Sequence, residues 1–232
     1  MINLIECIGS TWQGEGIDAG RQMALLRFKE CDRVVNKRAC NFCDTLVKMR
    51  VLETGKYTLD EINKIVQKTR GILLSGGEPL YAPNYEPTLE ILEKCDFDIV
   101  NIETNGIDIV NFIKDMEENL EIQNKLDGDK IKIIYSPKIF NEEDYGKEIV
   151  RTNQIISKHM VYIKLVVGKE SILVEDYLHE IVDMSPRSNQ IWLMPEGTNR
   201  DDLIMNSGKV MDLCEKYGCN FSSRDHVIYE FV

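Results

Sequence analysis

The sequence predicts an α/β protein made of repeated β-α units, and three observations carry that expectation. Short runs rich in β-branched and apolar residues alternate with amphipathic, charge-laced segments along the whole chain. The runs are almost continuously apolar instead of alternating, as expected of parallel strands covered by helices. The chemically unusual residues fall just after the carboxyl ends of these runs, where α/β folds gather their chemistry.

Taken in order, the candidate strands are "MALLRF" (23–28), "GILLSG" (71–76), "DIVNIET" (98–104), "KIKIIYS" (130–136), "YIKLVVG" (162–168) and "QIWLMPEG" (190–197). Helices are expected near 58–69, 86–94, 108–118, 142–157, 172–184 and 199–217. Thr58 with Glu61 has the spacing of a capping box, Asn199 or Asp201 can cap the last helix, and Gly218 can close it. Six β-α units are too few for an eight-fold barrel; they suit an open or partial barrel, or a doubly wound sheet. No repeat, low-complexity linker or composition break divides the 232 residues, so a single domain over 1–232 is expected.

Bulk composition excludes several function classes. A formal net charge of −11 repels a phosphate backbone, so no nucleic-acid partner is expected. No apolar run approaches the roughly 20 residues of a membrane span, and the start "MINLIECIGSTWQGEG" lacks signal-peptide features, so a cytoplasmic protein without membrane attachment is expected. Seven cysteines, an odd number, argue against a disulfide framework. Cys7, Cys95, Cys214 and Cys219 read as structural.

The remaining three form a loop. Cys40 and Cys43 sit in "ACNFCDT" (39–45), and Cys31 stands nine positions upstream. A structural zinc site wants four ligands, and the other half would have to come from more than a hundred residues away. A redox pair would use Cys40 and Cys43 and leave Cys31 idle. Three thiolates with no local fourth suit a [4Fe–4S] cluster with one iron open to a ligand. "SGGEPL" follows the second strand, and its consecutive glycines let backbone approach a ligand closely, although a glycine turn alone explains them equally well.

The ordered set "TWQGEG" (11–16), "ALLRFKEC" (24–31), "CNFCDT" (40–45), "SGGEPL", "ETNG" and "LMPEG" resembles the 7-carboxy-7-deazaguanine synthase family of the radical SAM superfamily, over nearly the whole chain. That resemblance implies a partial, TIM-like radical SAM barrel, usually a homodimer. It implies a ring-contracting lyase that converts 6-carboxy-5,6,7,8-tetrahydropterin to 7-carboxy-7-deazaguanine with loss of ammonia, in deazapurine biosynthesis of the queuosine type. It also implies that Cys31, Cys40 and Cys43 hold the cluster. Gly76, Gly77 and Glu78 would line the methionine end of S-adenosylmethionine, and Glu103, Thr104, Asn105, Ser136 and Lys138 would face its ribose and carboxylate. Gln13, Gly14, Glu15, Gly16 and Arg27 would hold the pterin, with the Arg27 guanidinium matched to the substrate carboxylate. Thr45 matches the position of a Mg²⁺ ligand.

The spacing departs from the superfamily's C-x3-C-x2-C. Here it is C-x8-C-x2-C, with an insertion within 32–39 that carries Arg33, Lys37 and Arg38 against Asp32. This basic spot on an acidic protein reads either as a self-solvating loop or as a docking point for an acidic electron donor such as flavodoxin. Arg224 and His226, in "SSRDHVIYEF", are weak site candidates; a closing strand is the favoured reading of that tail. Two rival functions remain: a radical SAM activase acting on a partner enzyme, and a zinc-stabilised binding module.

Overall fold

The computed structural model describes residues 1–40, 43, 45, 46, 52–168, 172–185 and 188–231. Residues 41, 42 and 44 of the cysteine motif lie outside them. The chain divides into two compact units, one of residues 1–12 and 22–133, the other of residues 13–21 and 134–232.

In the first unit, β1 (Ile2–Trp12) runs antiparallel to β2 (Gln22–Phe28) and to β3 (Gly55–Tyr57). β4 (Gly71–Gly76) pairs parallel with β2, and β5 (Ile99–Thr104) pairs parallel with β4. The order is therefore β3-β1-β2-β4-β5. Between these strands lie α1 (Asp32–Val35), α2 (Leu59–Val66) and α3 (Ala82–Lys94). After β5 come α4 (Ile109–Glu118) and α5 (Leu120–Asp127). Ile72, Leu74, Val100 and Ile102 are fully buried, as continuous apolar runs in a parallel sheet should be. The Thr58–Glu61 capping box heads α2 as expected: Thr58 Oγ1 accepts from Glu61 N at 3.2 Å, and Thr58 N donates to Glu61 Oε2 at 2.8 Å.

β6 (Ile131–Tyr135) contains the boundary between the units. In the second unit, α6 (Glu142–Ile155) is followed by β7 (Val161–Val167), α7 (Ile172–Met184), β8 (Ile191–Pro195), α8 (Arg200–Tyr217) and β9 (Asn220–Phe221). β7, β8 and β9 pair in parallel in that order. Asn199 caps α8 by accepting from Asp202 N, and Gly218 ends it in the left-handed conformation at φ 66°.

The α/β class, the alternating β-α units and the mainly parallel pairing are those the sequence predicts. Besides the short β3 and α5, three findings were not expected. β1 is a full strand, although its mixed residues "LIECIGSTW" carry neither a continuous apolar run nor clean alternation. The enlarged cysteine loop opens with the helical turn α1. The tail is not a closing strand: residues 225–228 form a short helix, α9 (Asp225–Ile228), and the last strand is the two-residue β9. Asp225 and Arg224 favour this turn because Tyr229 N, Ile228 N and Val227 N return to their carbonyls. Cys95 and Cys214 are buried, as read from sequence, whereas Cys7 and Cys219 are half-buried. Among the described residues no helix is long and apolar enough to cross a membrane.

Candidate active site

The first unit builds a junction between the cysteine loop and the Gly-Gly-Glu turn. β4 ends at Gly76 with φ 107°, a conformation that L side chains rarely adopt, and a Cβ there would lie 2.5 Å from Phe28 O. A Cβ on Gly77 would lie 2.1 Å from Glu30 O. Both glycines are thus demanded by backbone packed on backbone. The bare turn lets Gly77 N donate to Phe28 O and Glu78 N to Glu30 O, each at 2.8 Å. Asn84 Nδ2, from α3, donates to Glu30 O and Glu78 O at 3.0 and 2.8 Å. The carbonyl of the residue preceding Cys31 is therefore held from two sides, by the glycine turn and by α3.

Glu78 is buried and its carboxylate is fully engaged. Oε1 accepts from Thr104 Oγ1 at 2.6 Å and from Leu80 N at 2.9 Å, and Oε2 accepts from Asn105 N at 2.6 Å. Burial pushes its carboxyl up to about 7 despite these donors, with Asp32 adding to the rise. The Asn105 side chain is also committed: Oδ1 accepts from Ile107 N at 3.0 Å and Nδ2 donates to Asp32 Oδ1 at 2.8 Å. Glu78, Thr104 and Asn105 thus bind one another, tying the end of β4 to the end of β5. What they can offer a ligand is backbone and the surface they shape.

Cys31, Cys40 and Cys43 are half-buried thiols, and none is in a disulfide. Cys43 N donates to Cys40 O at 3.2 Å. Burial pushes the Cys31 thiol up to about 12, against the backbone N–H groups of Val34 and Arg33, with Asp32 and Glu78 adding to the rise. Among the described residues, no three His, Cys, Asp or Glu side chains converge closely enough to hold a metal ion. The donor set itself fits an iron–sulfur cluster: three sulfurs lie on one loop, beside a glycine turn that no side chain can fill.

Arg27 lies directly opposite Glu6 across the β1–β2 pair, and the two form a close ion pair. Arg27 Nη1 also donates to Thr45 Oγ1 at 3.0 Å, and Thr45 is buried. Glu6 was not expected, because only the strand register reveals it. Glu103 is half-buried at the end of β5.

The second unit gathers four of the five expected pterin residues, Gln13, Gly14, Glu15 and Gly16, around a half-buried carboxylate with one buried oxygen, while Arg27 belongs to the first unit. Gln13 is buried, and its carbonyl accepts from Gly20 N at 2.8 Å. Gly14 has no room for a side chain, since a Cβ would lie 2.4 Å from His226 Nδ1. Gly16 adopts φ 72° and donates its N–H to Ser222 Oγ at 2.7 Å. Glu15 Oε1 accepts from Lys164 Nζ at 2.8 Å. Glu15 Oε2 lies 3.6 Å from Arg224 Nε, is buried, and has no hydrogen-bond partner. Burial alone would raise the Glu15 carboxyl; Lys164, Arg224 and His226 outweigh it and hold the group well below the usual carboxylate range. Lys164 was missed in the sequence because it sits inside an apolar strand run, and Arg224 and His226 gain weight from this cluster. Lys138 Nζ donates to Ser136 Oγ at 2.8 Å, so these two expected residues meet.

The fold and these residues define an α/β protein whose three-cysteine loop is stitched, at the carboxyl ends of parallel strands, to a Gly-Gly-Glu turn. Curated relatives give that class a more particular likeness. The chain is 35% identical over 106 residues to a 7-carboxy-7-deazaguanine synthase of Clostridium acetobutylicum, covering 43% of this chain and 45% of that protein. It is 31% identical over 110 residues to a protein of the same name from Haemophilus influenzae, covering 45% and 46%. A third, from Methanothermobacter thermautotrophicus, is 33% identical over 103 residues, covering 42% and 38%. The chain spans less than half the length of the curated relatives it matches. No family model matches it.

Proposed function

We propose that this protein is an enzyme of the 7-carboxy-7-deazaguanine synthase type, a radical SAM lyase acting on 6-carboxy-5,6,7,8-tetrahydropterin. The observation that carries the reading is the junction itself: backbone bonds from Gly77 and Glu78 hold Phe28 and Glu30, and so bring the first of three loop cysteines against a turn that accepts no side chain. The names of the relatives support the product class, and the substrate is the one the family resemblance implies.

Cys31, Cys40 and Cys43 would hold a [4Fe–4S] cluster, and S-adenosylmethionine would bind at its open iron and along Gly76 and Gly77. Together they would supply one-electron cleavage of the sulfonium and hydrogen-atom transfer with the pterin. The chain's own residues do the remaining work. Glu78, Thr104 and Asn105 hold the strand ends in register, and Glu103, Ser136 and Lys138 would face the cofactor's polar groups. Arg27 presents a guanidinium to the substrate carboxylate, steadied by Glu6. Glu15 Oε2 is a buried acceptor without a donor, which suits the amino and ring N–H groups of a pterin edge. The positive Arg27 beside Thr45 means that a Mg²⁺ on that hydroxyl would depend on substrate oxygens for its negative charge. An acidic electron donor such as flavodoxin would meet the basic insertion, and the active form would be a homodimer.

Anaerobic reconstitution tests the reading. We expect a brown protein with about four irons per chain, and formation of 7-carboxy-7-deazaguanine from the carboxypterin with S-adenosylmethionine and a reductant. Cys31→Ala should abolish both. Deoxyadenosine released only in the presence of a partner protein would overturn the reading in favour of an activase. A colourless protein carrying zinc would overturn it in favour of a binding module.

A further inference from the structure

The backbone ladder of the Gly-Gly-Glu turn reaches Glu30 and stops one residue short of Cys31. Asp32, the residue after Cys31, extends the restraint. Its Oδ1 accepts from Asn105 Nδ2 at 2.8 Å, between residues 73 positions apart in sequence. Cys31 Sγ lies 3.7 Å from the same oxygen. Asn105 has no freedom to turn away. Its Oδ1 takes the Ile107 N–H and its own N–H is spent on Glu78, so the amide nitrogen faces Asp32. A connected path, Glu78–Asn105–Asp32, therefore runs from a buried carboxylate to the neighbour of the first loop cysteine.

We propose that the Asp32–Asn105 hydrogen bond is a latch that fixes the Cys31 sulfur against the Gly-Gly-Glu turn, making both residues positioning residues for the first thiol of the loop. Asp32 belongs to the stretch that lengthens this loop, and a longer loop has more conformations to lose when its sulfurs are gathered. A charge-assisted bond from the rigid end of β5 removes much of that freedom where Cys31 needs it. The role of Cys31 as a cluster ligand rests on the proposed function; the latch itself is a statement about the chain.

The test measures peptide-resolved alkylation of Cys31 by iodoacetamide in the iron-free full chain, alongside iron content after reconstitution. Asn105→Asp sets two carboxylates against each other. Cys31 should then alkylate about tenfold faster, even though the added negative charge by itself disfavours the thiolate and would slow the reaction. Asp32→Asn keeps an acceptor oxygen and should react close to the wild-type rate. The exchanged pair Asp32→Asn with Asn105→Asp restores donor facing acceptor and should return the slow rate. If Asn105→Asp fails to fold, Asn105→Ser, too short to span the gap, carries the same expectation of faster alkylation. A wild-type alkylation rate in the folded Asn105 variants, or no recovery in the exchanged pair, overturns the latch. Absence of iron in the wild-type chain would instead defeat the proposed function, and the alkylation rates would still decide the latch.

Discussion

Glu78 is a buried carboxylate and Glu15 a half-buried one with a buried oxygen, and their surroundings push them in opposite directions. Around Glu78 the donors are neutral and desolvation wins, so its carboxyl rises from an ordinary value of 4.5 to about 7. Around Glu15 two cations and an imidazole win. A group raised on folding contributes stability that is complete below its unfolded value and is lost as pH climbs through its folded value. The Glu78 contribution should therefore fall between pH 4.5 and about 7, by up to roughly 3 kcal/mol if the whole shift is expressed. Urea unfolding across that window should show the loss in the wild-type chain and a flatter curve in Glu78→Gln. Equal slopes would mean that Glu78 is ionised throughout. At this scale the sequence discloses unusual residues better than their partners. The cysteines and the glycine pair are conspicuous because few structures need them. Glu6 and Lys164 are ordinary in composition, and only register and the 149-position reach from Lys164 to Glu15 give them meaning.

Elements were legible where a local rule fixes an end. The capping box placed the start of α2, Asn199 the start of α8 and Gly218 its stop, because a cap is a short-range hydrogen bond written in adjacent residues. Removing the Thr58 hydroxyl in Thr58→Ala should cost about 1 kcal/mol, read as a lower denaturation midpoint with unchanged slope. A change much smaller than that would show that the exposed box is replaced by water. Elements were illegible where tertiary pairing does the work. β1 mixes polar and apolar residues yet forms a strand because β2 and β3 flank it on both sides. β3 is three residues long, too short for any pattern. α5 has little apolar periodicity, and it starts where Asn119 accepts from Glu121 N and Ile122 N. In the tail, "HVIYEF" has strand-like composition, but the Arg224 and Asp225 carbonyls recruit the following N–H groups into a turn.

Over the whole molecule, a net charge of −11 makes any acidic partner approach against a repulsive field, except where the field is locally reversed. α1 and the residues after it bring Arg33, Lys37 and Arg38 together, with the Arg33 guanidinium on the Arg38 carbonyl and Lys37 in the left-handed conformation at φ 57°. Reversing Arg33 and Lys37 to Glu should slow reduction by flavodoxin about tenfold at low salt and flatten its salt dependence; an unchanged rate and slope would remove the docking role. Such long-range fields are readable from sequence only as a sum, and their geometry waits for the fold. The QGEG segment carries a different consequence. Gly16 N reaches Ser222 Oγ across 206 positions, and Asp225 N reaches Gly14 O. On the ribosome, β1, β2, β4 and β5 can find one another while synthesis continues, but residues 13–21 must wait for partners made some two hundred residues later, Ser222 lying 206 positions after Gly16. Residues 13–21 therefore settle only after a segment far downstream has been made, and Glu15 gains its cations at the same moment.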